Sequence, residues 1–221
     1  RQITAAVEVF CETEPTSAND DYKTFGEAVA NIAATENISE REALLASALN
    51  GSTVQEELNV LVGRITENIG IKRIAVASAD SSEALATYSH MGGKIGVIVK
   101  LKIGGEASDT SAIKSLAKDL CMQTAATAPV AVRSDEISEE YIAKELEIYK
   151  ELALKAGTKE EFVDRQVQGK LKKHLKEVCL EEQMFVKDNK KPITTLLKEV
   201  ASEAGAESVA IDSFTRIELG K

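Results

Sequence analysis

Residues 5–10 read AAVEVF and residues 95–101 read IGVIVKL. Each is a short apolar run, and each leads through a polar stretch into a helical pattern. The first pattern is FGEAVANIAAT (Phe25 to Thr35) and the second is IKSLAKDLCMQTAAT (Ile113 to Thr127). Both close on Ala-Ala-Thr, and setting Thr35 over Thr127 brings the two strand runs roughly into line. IKRIAVAS (Ile71 to Ser78) is echoed in turn by SVAIDSFTRIEL (Ser208 to Leu219). This repetition predicts an α+β fold of two related subdomains, each a small antiparallel sheet packed with helices. Neither copy carries catalytic chemistry, so a binding protein with two lobes is the first reading.

The first lobe is expected over residues 1–87. After its opening strand, Cys11 to Asp21 is rich in Pro, Ser, Asn and Asp, which favour turns. Such a loop, directly after a strand, is either a functional segment or a plain connector. In the helix that follows, Phe25, Ala28, Val29, Ile32 and Ala33 recur at three and four residues and make one buried face. Ser39-Glu-Arg-Glu42 has the form of a capping box, and Asn50-Gly51 the form of a left-handed helix stop. A third helix is expected from Thr53 to Asn68, then the strand Ile71–Ser78, then a polar connection over Ala79–Thr87.

The second lobe is expected over 88–221. Gly92-Gly93, between two strand-like runs, predicts a tight hairpin turn. Tyr88 and His90 beside it make either a surface contact or a hairpin shoulder. Residues 134–177 are an insertion with no counterpart in the first lobe. Ser138 caps one helix whose seam is Ile142, Leu146, Tyr149 and Ala153. Gly157 ends it, and Thr158-Lys-Glu-Glu161 has the form of a second capping box. Phe162, Val163, Val167 and Leu171 form the facing seam. A two-residue connection forces an antiparallel hairpin, a short coiled coil projecting into solvent. A charged turn at Lys187–Lys191 and Pro192 precede a helix from Ile193 to Ala204, stopped by Gly205.

A chain of 221 residues with 29% charged residues fits a soluble globular protein with an ample core. Its net charge of −9 makes it a poor direct partner for nucleic acid and favours a basic protein surface. The three cysteines, Cys11, Cys121 and Cys179, are too scattered for a disulfide framework and fit a reducing compartment. No run of about 18 apolar residues is present, so no membrane partner is expected. The first residue is Arg1, which fits a fragment, a processed product or an excised domain.

No glycine-rich phosphate loop, serine nucleophile elbow or Cys-x-x-Cys pair occurs, so no cofactor is expected. His90 and His174 lie far apart, and no spacing singles out a metal site or an acid–base pair.

Three stretches carry a resemblance to a known family: RITENIGIKRI (Arg64 to Ile74), YSHMGGKIGVIV (Tyr88 to Val99) and EEQMFVKDNKKPITTLLKE (Glu181 to Glu199). VQGKLKKHLKEVCL (Val167 to Leu180) adds a fourth. In order, over nearly the whole chain, they resemble elongation factor Ts, which exchanges guanine nucleotide on the translation GTPase elongation factor Tu. The resemblance implies a core of two related subdomains with a projecting helical hairpin. It also implies a bacterial cytoplasm or an organellar matrix or stroma, and possible ribosome association. The family normally begins with a small ubiquitin-associated-like helical domain, which this sequence lacks. After its first strand the family carries Cys-x-Thr-Asp-Phe-Val, and here the stretch is Cys11-Glu12-Thr13-Glu14-Pro15-Thr16. The Asp-Phe pair implies pressure on the GTPase near its nucleotide, the ring wedging between elements that hold magnesium. Glu14 keeps the charge, whereas Pro15 has no ring to supply. By resemblance the partner-binding residues are Thr13, Glu14, Pro15, Thr16 and Asn68 in the first lobe and His90, Met91, Gly92 and Lys94 in the second.

Three functions are thereby set in competition. The first is an exchange factor, which is no enzyme and acts by binding. The second is an interaction module for the GTPase or ribosome with weak or no exchange. The third is a small-molecule enzyme using the cleft between lobes, against which the scarcity of reactive groups argues.

Overall fold

A computed structural model describes residues 1–220. Among them the order is β1 (Gln2–Phe10), α1 (Glu14–Ala18), α2 (Asp20–Glu36), α3 (Arg41–Ala46), β2 (Ala48–Leu49), β3 (Ser52–Thr53), α4 (Val54–Ile65) and β4 (Gly70–Ala79). The chain continues with β5 (Glu83–His90), β6 (Ile95–Gly104), α5 (Ser111–Thr127), α6 (Glu139–Lys155), α7 (Glu160–Val178), β7 (Met184–Phe185), β8 (Asp188–Pro192), α8 (Ile193–Ala204) and β9 (Ser208–Glu218). All named strand pairs are antiparallel: β1 with β4, β2 with β3, β7 with β8, and β6 between β5 and β9. The α+β class expected from the repeat is the class observed.

The repetition runs deeper than the matched words. β1–α2, then the small hairpin β2–β3, then α4–β4, is matched by β6–α5, β7–β8 and α8–β9. The insertion α6–α7 falls between α5 and β7. Each lobe has its own apolar centre. Val29, Ala33, Leu44 and Val54 are wholly buried in the first, and Val99, Leu101, Ile113, Leu120 and Ile193 in the second. The lobes meet through small residues. Ala6, Ala75 and Ala77 pack on a buried cluster of Ala79, Leu85 and Ile98. A Cβ added at Gly96 would lie 3.9 Å from the Ala6 methyl, so the two sheets approach closely there. Arg73 of β4 adds a polar tie, pairing with the buried Glu8 of β1 and donating to the Glu218 carbonyl of β9 at 2.7 Å.

Several local expectations are corrected. Cys11 to Asp21 is not all turn: α1 occupies its middle, with Pro15 in the first helical turn, where its missing N–H costs no hydrogen bond. Ser39 does not cap α3, which starts one residue late behind an extended Glu40. Asn50 and Gly51 both have positive φ, 54° and 85°, but they turn the β2–β3 hairpin instead of stopping a helix. The capping box of this lobe is Thr53 with Glu56, each side chain accepting from the other's backbone N–H. α4 ends at Ile65, short of Asn68. The connection expected over 79–87 is strand from Glu83 onward, so residues 83–87 pair with β6 in the second sheet.

In the insertion, Ser138 caps α6, accepting from the Tyr141 N–H at 3.2 Å. Thr158 does not cap α7; its hydroxyl donates to Gln166 Oε1 at 2.9 Å and Lys159 takes the N-cap position. Ala153, Val163 and Val167 are buried together in the seam, but Phe162 points to solvent and is 53% exposed. The charged stretch 187–191 is largely β8, and Pro192 sits at the N-cap of α8, just outside the helix.

Candidate functional site

Two segments carry the candidate residues: α1 with its approach from β1, and the turn between β5 and β6. In the first, Thr13 is the anchor. Its hydroxyl donates to Glu67 Oε1 at 2.6 Å and its backbone N–H donates to Glu67 Oε2 at 3.2 Å. The Thr16 hydroxyl is 3.4 Å from that of Thr13, and Thr16 is buried beneath the helix. Hydrogen bonding from Thr13, and then from Thr16, holds the Glu67 carboxyl below the usual carboxylate range. This fixes α1 to the loop after α4, where Asn68 is exposed beside Glu67. Glu14 and Pro15 are exposed on the outer side of α1. The arrangement therefore presents a carboxylate and a small saturated ring on a short, tethered helix.

The second segment is a tight turn over Met91–Gly93. Met91, Gly92 and Gly93 have φ of 53°, 67° and 96°. Glycine accommodates two of these at no steric cost, while Met91 holds a conformation uncommon for a residue with a Cβ. Met91 is 61% exposed. Behind it the Tyr88 and His90 rings stack with centroids 5.7 Å apart, and Tyr88 Oη lies 3.0 Å from His90 Nδ1. The imidazole is thereby oriented, and it too is exposed.

Lys94 joins the two segments. Its Nζ is 2.8 Å from Glu14 Oε1, across the lobes. A groove of about 560 Å³ runs between them, lined by small side chains such as Ala5, Gly26, Ala30, Gly93 and Gly96 and by Tyr22. Tyr22 is held by donating its hydroxyl to the Val9 carbonyl. Burial pushes that hydroxyl's pKa up, so it stays protonated.

The residues expected from sequence thus fall into one neighbourhood through Thr13–Glu67 and Glu14–Lys94. Asn68 joins through its neighbour and makes no hydrogen bond of its own to the set. Glu67 was not among the expected residues. Its only signal was membership of the stretch Arg64 to Ile74, since nothing in its spacing marks it as the clamp for Thr13. Among the described residues no group of three or more His, Cys, Asp or Glu is placed to hold a metal ion. Burial pushes the Cys121 thiol up to about 12 and the Cys179 thiol up to about 11, so neither is a ready nucleophile at neutral pH. No helix of the described residues is long and apolar enough to cross a membrane.

The family model described as Elongation factor TS matches residues 12–221. The chain belongs to the elongation factor Ts family. Elongation factor Ts of Clostridium botulinum (strain Alaska E43 / Type E3) is 38% identical over 98% of this chain and 70% of its own length. That of Clostridium perfringens (strain SM101 / Type A) is 40% identical over 97% and 70%. That of Chloroherpeton thalassium is 36% identical over 97% and 74%. The match takes in both candidate segments. Pro15 lies in the first turn of α1.

Proposed function

We propose that the protein is a translation elongation factor that promotes release of GDP from elongation factor Tu. The observation that carries this is the pairing of family membership with the Glu14–Lys94 contact, which gathers the two segments into one continuous surface. On this reading α1 presses on the GTPase beside its nucleotide. The turn His90, Met91, Gly92 and Lys94 grips a remote part of the same partner. The factor acts by binding alone: it holds the nucleotide-free partner more tightly than the GDP-bound one, and by linkage GDP is weakened by the same factor. Stopped-flow release of a fluorescent GDP from elongation factor Tu tests it. Faster release as the protein is titrated supports exchange, and an unchanged rate at saturation refutes it.

Pro15 favours a second reading, an elongation factor Ts-like module that binds the GTPase or the ribosome and exchanges weakly. An exposed proline offers less contact area than an aromatic ring. Pro15→Phe then raises the release rate by about tenfold, the effect of roughly 1.4 kcal/mol in the transition state. An unchanged rate would remove the wedge from the explanation.

A further inference from the structure

The outward face of α7 carries a pattern that the proposed exchange function does not use. The inward face of this helix is set by Val163, Val167 and Leu171, all buried. On the opposite side Phe162, Arg165, Gly169, Lys172 and Lys176 recur at intervals of three, four, three and four, with Lys173 adjoining them. That spacing puts them on one face, and all six are exposed. At 1.5 Å per residue the stripe is about 21 Å long. It holds four positive charges and no carboxylate, on a chain whose net charge is −9. Among the described residues Arg165, Lys172 and Lys176 enter no ion pair, and Lys173 approaches Glu177 only at 3.9 Å.

Gly169 is a second, independent pointer. Glycine inside a helix is costly relative to alanine, yet a Cβ there would meet nothing within 4 Å. No packing inside the protein asks for glycine, and its effect is a flat spot in the middle of the basic stripe. Apart from Phe162 at one end, the stripe has no apolar anchor of the sort that dominates protein–protein interfaces. A phosphate backbone needs other things: cations at regular spacing, a surface smooth enough for close approach, and little buried apolar area.

We propose that the outward face of α7 docks the phosphate backbone of a structured RNA, with Phe162 stacking on an unpaired base at its end. The net acidity of the chain hid this stripe from a reading of composition. The repulsion of the remaining surface makes the contact local and salt-sensitive.

Fluorescence anisotropy of a labelled RNA stem-loop, titrated with the full protein over a series of salt concentrations, tests the assignment. Four phosphate contacts predict a slope of log affinity against log salt of about −3 to −4. Lys172→Glu/Lys173→Glu/Lys176→Glu weakens binding by more than about tenfold with the circular dichroism spectrum unchanged. Lys114→Glu/Lys118→Glu/Lys198→Glu, which makes the same change in net charge on α5 and α8, leaves binding within about twofold. Phe162→Ala weakens the stem-loop more than a blunt duplex. The proposal is overturned by no binding at the lowest salt, by equal losses in the two triple variants, or by polyglutamate binding as tightly as the RNA. The last result would assign the stripe to an acidic protein.

Discussion

Glu14 and Lys94 lie 80 residues apart in sequence and 2.8 Å apart in space. Both are exposed, so water and salt screen the pair and its value is in placement more than in stability. The Lys94 hydrogen bond, and then its charge, holds the Glu14 carboxyl below its ordinary 4.5. A carboxyl lowered on folding favours the folded state at neutral pH, and that contribution disappears as pH falls through the lowered value. Carboxyl-detected NMR should therefore find the Glu14 midpoint below the ordinary value and Lys94→Met should return it there; an identical midpoint in both proteins would mean the contact does not persist in solution. The two members were legible separately, as the residue after Thr13 and as part of the diglycine turn. Their meeting was not, because it depends on how two lobes pack. Glu67 was hidden for the same reason, since a carboxylate in a loop looks like any other until Thr13 is seen donating to it twice.

At the scale of elements, the capping boxes show where local sequence decides and where it does not. Three helix starts have the form Ser/Thr-x-x-Glu, at Ser39, Thr53 and Thr158, and only Thr53 makes the reciprocal bonds. The pattern supplies the groups, but the chain must leave its extended conformation directly after the first residue. At Ser39 and Thr158 the helix begins one residue later, behind Glu40 and Lys159. Thr53→Ala should destabilise the protein by about 1 kcal/mol, read from the midpoint of urea unfolding, whereas Ser39→Ala should change it by less than about 0.5 kcal/mol. Equal effects would contradict the assignment. The longer elements were easier to read. α8 spans Ile193–Ala204 and ends on a left-handed Gly205, as its apolar spacing and glycine stop foretold. The first half of β5 was lost because Ala79–Thr87 lacks a run of branched or aromatic residues. It is a strand through pairing with β6, a tertiary effect that overrides weak local preference.

For the whole molecule, the duplicated topology was legible because each lobe must bury a helix on a sheet, and that constraint repeats the same periodicities. The joint between lobes was not legible. It rests on small residues, Ala6 against Gly96, and on Arg73, which ties the buried Glu8 to the last strand. Arg73→Met leaves the Glu8 carboxylate buried without its cation and should cost about 3–5 kcal/mol in urea unfolding, and a loss under about 1 kcal/mol would show that the tie is replaceable. A rigid joint matters because the proposed action needs two lobes to strain one partner at two places. The central claim is that this scaffold distinguishes the empty switch from the loaded one. Calorimetric titration of the protein into nucleotide-free and GDP-bound elongation factor Tu measures that difference. The account predicts tighter binding to the nucleotide-free form, by at least the roughly 5–150-fold range typical of coupled sites; equal affinity for both forms would contradict it.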